Sequence, residues 1–190
     1  MAGSMSNRSS SWQERERLGR NRAQRAIVIA CLLFLPLLAF VGSRWYLSVV
    51  FTQECGGHLK RAADANTVDL ARSELETAVA YIEREGLTAD YTSILYRTPD
   101  EDVGFWHRNL AASLEELRAV SPDASQLERS NVLMRLRETL LDHGEHGEGV
   151  TMPDGISVFP YNRAFCFFGL APLLTACVGA WMLLRRFLLY

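Results

Sequence analysis

AIVIACLLFLPLLAFVGS (residues 26–43) and AFCFFGLAPLLTACVGAWMLL (residues 164–184) are the two stretches that decide the fold of this chain. Neither contains Asp, Glu, Lys, Arg or His, and they are 18 and 21 residues long. A helix needs about 20 apolar residues to cross about 30 Å of hydrocarbon. The sequence therefore predicts two transmembrane helices separated by one large loop.

The arginines that flank these stretches predict the orientation of the chain. Six arginines precede the first stretch, and Arg185 and Arg186 follow the second. Cytoplasmic segments next to a span are enriched in Lys and Arg, so both termini are expected in the cytoplasm. The loop of residues 52–162 carries 20 Asp and Glu against 10 Lys and Arg. We expect the protein in a bacterial inner membrane, with this acidic loop on the periplasmic side.

Five segments follow from these patterns: a basic cytoplasmic tail at 1–25, a first transmembrane helix with an outer extension at 26–51, an acidic extracytoplasmic helical domain at 52–162, a second transmembrane helix at 163–184 and a cytoplasmic C-terminus at 185–190. A cleaved signal peptide is the alternative for the first span. Its apolar run exceeds the usual 7–15 residues of a signal peptide, so we expect it to be retained. Cys55 and Cys166 flank the loop, and we expect free thiols rather than a disulfide.

The sequence of the loop predicts three helices. His58–Glu85 contains neither Gly nor Pro, and its apolar stripe predicts one helix ended by a left-handed Gly86. A second helix is expected to begin with Thr98 as its cap, and a third after Ser121. Their predicted apolar faces are Val103, Trp106, Leu110, Leu114 and Leu117, and then Leu127, Leu133, Leu136 and Leu140.

A small β-hairpin is predicted where Val150–Thr151 and Ile156–Phe159 flank a Met-Pro-Asp-Gly turn. The fold class is thus an all-α membrane protein, in which two transmembrane helices flank an extracytoplasmic antiparallel helical bundle. The hairpin precedes the second span.

No motif in the sequence indicates catalysis. The run Asp142–Glu148 holds two histidines and three carboxylates, but glycines interrupt it, so we interpret it as a polar linker rather than a metal site. His107 follows three acidic residues and is expected to be a surface histidine. We therefore predict no enzyme activity, no cofactor and no metal. Nucleic acid is not an expected partner, because the basic residues concentrate next to the membrane, where they favour anionic lipid.

Two groups of residues are candidate partner-binding sites. The first is the aromatic cluster Tyr91, Tyr96, Phe105 and Trp106, for which core packing is the alternative. The second is a ladder of small residues at Ala171, Thr175 and Gly179, which lets helices approach closely in lipid. Its contact is expected to be the first span of the same chain or a membrane-protein partner.

These features favour an interaction protein: an accessory, assembly or regulatory subunit that acts through its extracytoplasmic helical domain. Its partner would be another membrane protein or a second copy of the chain. The alternative is an extracytoplasmic ligand-sensing module that signals through a separate partner, because few residues follow the second span. A phage-type lysis or exclusion protein is a third possibility without specific support.

Overall fold

The computed structural model describes residues 3–95, 97–144 and 147–188, and is mostly helical (77%). Side chains are described for residues 24–95, 97–142, 149–185 and 188. The chain divides into two compact units. We call Met1–Ser43 with Cys166–Tyr190 the apolar unit, and Arg44–Phe165 the acidic domain.

The elements in chain order are α1 (Gly3–Phe51), a π-helical segment (Thr52–Gly56), α2 (Gly57–Ala63), α3 (Val68–Arg84), a 3₁₀ turn (Pro99–Glu101), α4 (Val103–Ala119), α5 (Gln126–Leu140), β1 (Leu141–Gly144), β2 (Gly147–Val150), a second 3₁₀ turn (Ile156–Val158) and α6 (Asn162–Leu188).

Among the described residues, two helices are long and apolar enough to cross a membrane, one near each end of the chain. The most apolar window of the first is 6% buried and that of the second 17% buried. The core helix of a soluble protein would bury most of such a window. The exposed apolar side chains of both helices therefore have the character expected of lipid-facing surface.

Within the apolar unit, α1 and α6 approach each other at glycines. A Cβ atom on Gly179 would lie 3.2 Å from the Ala30 carbonyl oxygen, and one on Gly169 would lie 2.8 Å from Phe40 Cζ. Ala30 and Ala176 are buried in the same unit. Small residues thus allow the close helix contact that stabilises helix pairs in lipid.

Gly179→Val is expected to destabilise the α1–α6 pair by about 1–3 kcal/mol, because the new side chain must push the helices apart. Gly42→Val is the matched control, since nothing lies within 4 Å of the Cβ position at Gly42. Thermal unfolding of the full chain in mild detergent measures the difference. Equal losses for the two variants would contradict the observed packing.

The core of the acidic domain confirms the two strongest apolar stripes. Ala71, Leu75, Ala78 and Ile82 of α3 are fully buried, and the predicted apolar residues of α4 are buried as well, with Trp106 the most exposed at 7%. They form one cluster with residues of the π segment, α2, α5 and β1, including the buried thiol of Cys55. All four cysteines, each within the described residues, are free thiols.

The predicted single helix from His58 to Glu85 is wrong, because the structure has two helices there. α2 ends at Ala63, and α3 begins at Val68 with Thr67 as its N-cap, whose side chain accepts a hydrogen bond from Leu70 N at 3.3 Å. Asp, Asn and Thr in the connecting residues offer the backbone such hydrogen bonds outside a helix. A segment free of Gly and Pro can therefore still contain a turn.

The end of α3 confirms the predicted glycine cap. Gly86 has φ +71°, Leu87 N donates to Ile82 O at 2.8 Å, and Gly86 N donates to Glu83 O at 3.1 Å. This pair of bonds is the Schellman motif, which a left-handed residue at this position makes possible. Leu87 is consequently turned into the core, where it is 2% exposed.

The predicted starts of the next two helices are a few residues too early. Asp102, not Thr98, caps α4, because its side chain accepts from Phe105 N at 2.8 Å. Thr98 instead precedes the 3₁₀ turn and donates its hydroxyl to Glu101 Oε2 at 2.8 Å. Ser125 rather than Ser121 caps α5. In each case two possible caps lie four residues apart, and sequence spacing favoured the wrong one.

Asp102→Ala is expected to lower the free energy of unfolding of the acidic domain by about 1 kcal/mol, because it removes the N-cap of α4. Thr98→Ala is the comparison, because the hydroxyl of Thr98 contacts only another side chain. Urea unfolding in mild detergent, followed by circular dichroism, measures both variants. A larger loss of stability for Thr98→Ala than for Asp102→Ala would indicate that Thr98 is the cap of α4, as the sequence predicts.

The β-hairpin exists, but it lies earlier in the chain than predicted. β1 and β2 pair antiparallel, with Leu141 opposite Val150 and Gly144 opposite Gly147. Ile156–Val158 is a 3₁₀ turn after the left-handed Gly155. Gly144 and Gly147, from the run interpreted as a linker, are the last pair of this ladder, and the two residues between them lie outside the described residues. The prediction that Leu127 lies on the core face of α5 is also wrong, because this side chain is 72% exposed.

Candidate functional site

The acidic domain contains an open cleft of about 930 Å³ between the start of α4 and the segment that follows β2. One wall begins at Tyr91, which pairs with Asp102 in an isolated β-bridge. Thr92 N donates to Glu101 O at 3.1 Å, and Val103 N donates to Asp90 O at 3.0 Å. These bonds hold the loop before α4 against the 3₁₀ turn and fix the position of this wall.

The opposite wall is formed by Val150–Asp154. Trp106 Nε1 donates to Thr151 O at 3.0 Å, and Thr151 N donates to Leu140 O at 2.8 Å. These two bonds attach the segment after β2 to α4 and to the end of α5. The cleft is therefore held by hydrogen bonds between elements far apart in sequence.

The base of the cleft is apolar, and part of it is exposed. Trp106 and Leu110 are 7% and 2% exposed, so both belong mainly to the core. Phe105, by contrast, is 54% exposed, and Met152 is 36% exposed. An aromatic ring that lies in a concave surface and remains half exposed is characteristic of binding surfaces.

The rim of the cleft is acidic. Five carboxylates line it against the single cation Arg97: Asp100, Glu101, Asp102, Asp142 and Asp154. Within the described part of the chain, none of the five forms an ion pair. The Arg97 guanidinium lies 5.6 Å from the centre of the Tyr91 ring, in a cation–π arrangement. The cleft thus carries a strong negative charge beside exposed aromatic faces.

Three of the four aromatic residues singled out in the sequence line this cleft: Tyr91, Phe105 and Trp106. Tyr96 lies outside the described residues. Sequence reasoning did not identify Arg97 or the Val150–Asp154 wall. No sequence signal could have done so, because only tertiary contacts bring these segments to α4.

The small-residue ladder is not one continuous contact. Gly179 packs against α1, whereas Ala171 is exposed and Thr175 is half-buried, with its hydroxyl donating to Pro172 O at 3.0 Å. The observed contact face uses Gly169, Ala176 and Gly179 instead. Ala171 therefore remains on a face of α6 that the chain itself does not cover.

A buried carboxylate that sequence reasoning missed lies at Glu74. Its side chain is 9% exposed, His58 Nδ1 donates to its Oε2 at 2.6 Å, and Arg61 forms an ion pair with Oε1. No pattern in the sequence indicates this partner for His58, because the two residues are 16 positions apart with a turn between them. The group joins α2 to α3, and none of its members lines the cleft.

The remaining histidine and the candidate metal ligands form no metal site within the described residues. His107 Nε2 lies 3.7 Å from Glu83 Oε1, and the three acids that precede His107 in sequence line the cleft instead. The described residues contain no group of three or more His, Cys, Asp or Glu side chains able to hold a metal ion. Glu145 and His146 of the Asp142–Glu148 run lie outside the described residues, as do the side chains of residues 143–148.

The cleft is thus the feature of the acidic domain best suited to binding, with an apolar aromatic base and an acidic rim. No protein-family model, no curated protein and no solved structure matches this chain.

Proposed function

We propose that this protein is a non-enzymatic, two-span inner-membrane protein that acts as an accessory, assembly or regulatory subunit through its acidic domain. The arginines at both ends of the chain favour cytoplasmic termini and a periplasmic acidic domain. The single observation that carries the proposal is the cleft, whose half-exposed Phe105 and unpaired carboxylates would be covered by a partner.

The apolar unit is compatible with the same proposal but does not by itself favour a partner. α1 and α6 already contact each other at Gly169 and Gly179, yet Ala171 and neighbouring large apolar side chains of α6 are exposed. Lipid covers such a face as well as a partner helix does. We therefore expect the acidic domain to supply the specificity of the interaction.

Gentle detergent extraction of the full chain, with mild crosslinking and mass spectrometry, tests the proposal. A stoichiometric membrane-protein partner is the expected result. Recovery of a homo-oligomer alone would contradict the subunit function.

The second candidate function is ligand sensing, and the size of the cleft favours it. Pockets for small molecules measure about 300–1,000 Å³, a range that includes this cleft. A sensor would bind a small ligand without its partner and would show ligand-dependent thermal stabilisation in detergent. A subunit would show stabilisation by the partner protein instead.

A further inference from the structure

Building on the function proposed above, we propose that the cleft binds an arginine-bearing segment of the partner protein. The first reason is charge. Asp100, Asp142 and Asp154 are exposed on the rim and form no ion pair with a described residue, and two further carboxylates line the same cleft. Charge complementarity at a surface of this kind selects a cationic occupant.

The second reason is the aromatic lining, which distinguishes arginine from other cations. A guanidinium is planar, stacks on aromatic faces and binds carboxylates through two parallel hydrogen bonds, whereas an ammonium group acts as a compact point charge. The cleft already holds one such contact, because Arg97 lies over the Tyr91 ring. Phe105 offers a second aromatic face that is more than half exposed.

The third reason concerns the size of the occupant. A small organic cation would neutralise the rim but leave much of Phe105 and Met152 in water. A protein segment that places arginine among the carboxylates would also cover these apolar side chains, and burial of apolar surface favours association. The geometry therefore fits a peptide segment better than a free cation.

The test measures binding of a capped heptapeptide with two arginines to the full chain in lipid nanodiscs, by isothermal titration calorimetry. The comparison peptides carry citrulline or lysine in place of both arginines. Citrulline keeps the shape of arginine without its charge. We expect the arginine peptide to bind, the lysine peptide to bind several-fold more weakly, and the citrulline peptide to show no measurable binding.

A charge-removed variant and a matched control localise the binding. The triple variant Asp100→Asn, Asp142→Asn and Asp154→Asn removes three exposed rim charges but leaves the α4 cap intact. The control Asp123→Asn, Glu128→Gln and Glu138→Gln removes three exposed charges outside the cleft. We expect the cleft variant to bind the arginine peptide about tenfold more weakly and the control to change affinity by less than about twofold.

Several results would overturn the proposal. Equal affinities for the two triple variants would place the binding elsewhere, and equal binding of the citrulline peptide would remove the role of charge. If free arginine or choline bound as tightly as the peptide, the occupant of the cleft would be a small cation and not a protein segment.

Co-purification of the cleft variant separates this proposal from the proposed function. If the variant retains a stoichiometric partner as well as the control does, the subunit function stands and the cleft proposal fails. If neither the wild-type chain nor the variant recovers a partner, while peptide binding still depends on the rim charges, the subunit function fails and the arginine chemistry of the cleft stands.

Discussion

Trp106→Ala is expected to lower the free energy of unfolding of the acidic domain by about 3–5 kcal/mol, the range for loss of a large buried aromatic side chain. Trp106 is 7% exposed and belongs to the core cluster that joins α3, α4 and α5. Its indole also anchors the far wall of the cleft through the bond to Thr151 O. The substitution therefore removes core packing and the support of the cleft together.

Trp106→Phe separates the two roles. Phenylalanine keeps much of the buried aromatic surface but donates no hydrogen bond, so we expect a smaller loss of about 1 kcal/mol from the missing bond, plus the effect of the reduced volume. Urea unfolding in mild detergent measures both variants. Phe105→Ala is the neighbouring control, because its ring is 54% exposed and little core packing is lost. A Phe105 variant as unstable as Trp106→Ala would contradict this division between core and cleft.

The apolar stripes were predictable because burial of a helix face imposes a period that a sequence displays directly. Leu75 and Ile82 on α3, and Leu110 and Leu117 on α4, recur at helical spacing, and all four are buried. The same is true of Gly86, whose positive φ reflects a local backbone requirement. Each of these features depends on residues close together in sequence.

Element boundaries were less predictable because neighbouring residues competed for the same role. Thr98 and Asp102 both have capping side chains, and the isolated bridge between Tyr91 and Asp102 lies at the start that the structure uses. Tertiary contact contributes to that choice, so spacing alone could not make it. The hairpin was predicted too late in the chain because the glycines of its strands, Gly144, Gly147 and Gly149, are equally typical of a linker.

The cleft could be predicted only in part. The pairing of Phe105 with Trp106 near a short acidic run is visible in the sequence, and it led to three of the lining residues. The far wall comes from residues about 45 positions later, which the indole of Trp106 binds through a hydrogen bond to Thr151 O. Such a contact leaves no periodic pattern. The aromatic cluster and the acidic run of Asp100–Asp102 are therefore visible in the sequence, whereas the approach of Asp142 and Asp154 to them requires the fold.

Glu74→Ala is expected to lower the free energy of unfolding of the acidic domain by about 2–3 kcal/mol, because its carboxylate accepts from one histidine and pairs with one arginine while nearly buried. The group joins α2 to α3 across the turn that the sequence did not predict. Without the carboxylate, His58 Nδ1 loses its acceptor where its side chain is 26% exposed. Because this side chain is only partly exposed, water restores the lost hydrogen bond incompletely.

Glu76→Ala on the same helix is the matched control for this prediction. Its ion pair with Arg118 is nearly half exposed on both sides, so solvent competes for the charges and the loss should be much smaller. Glu74→Gln tests the contribution of charge, since the amide oxygen can still accept from His58 while the attraction to Arg61 is lost. We expect Glu74→Gln to fall between the other two variants in urea unfolding. If Glu74→Ala and Glu76→Ala lost stability equally, the buried carboxylate would not be what holds α2 against α3.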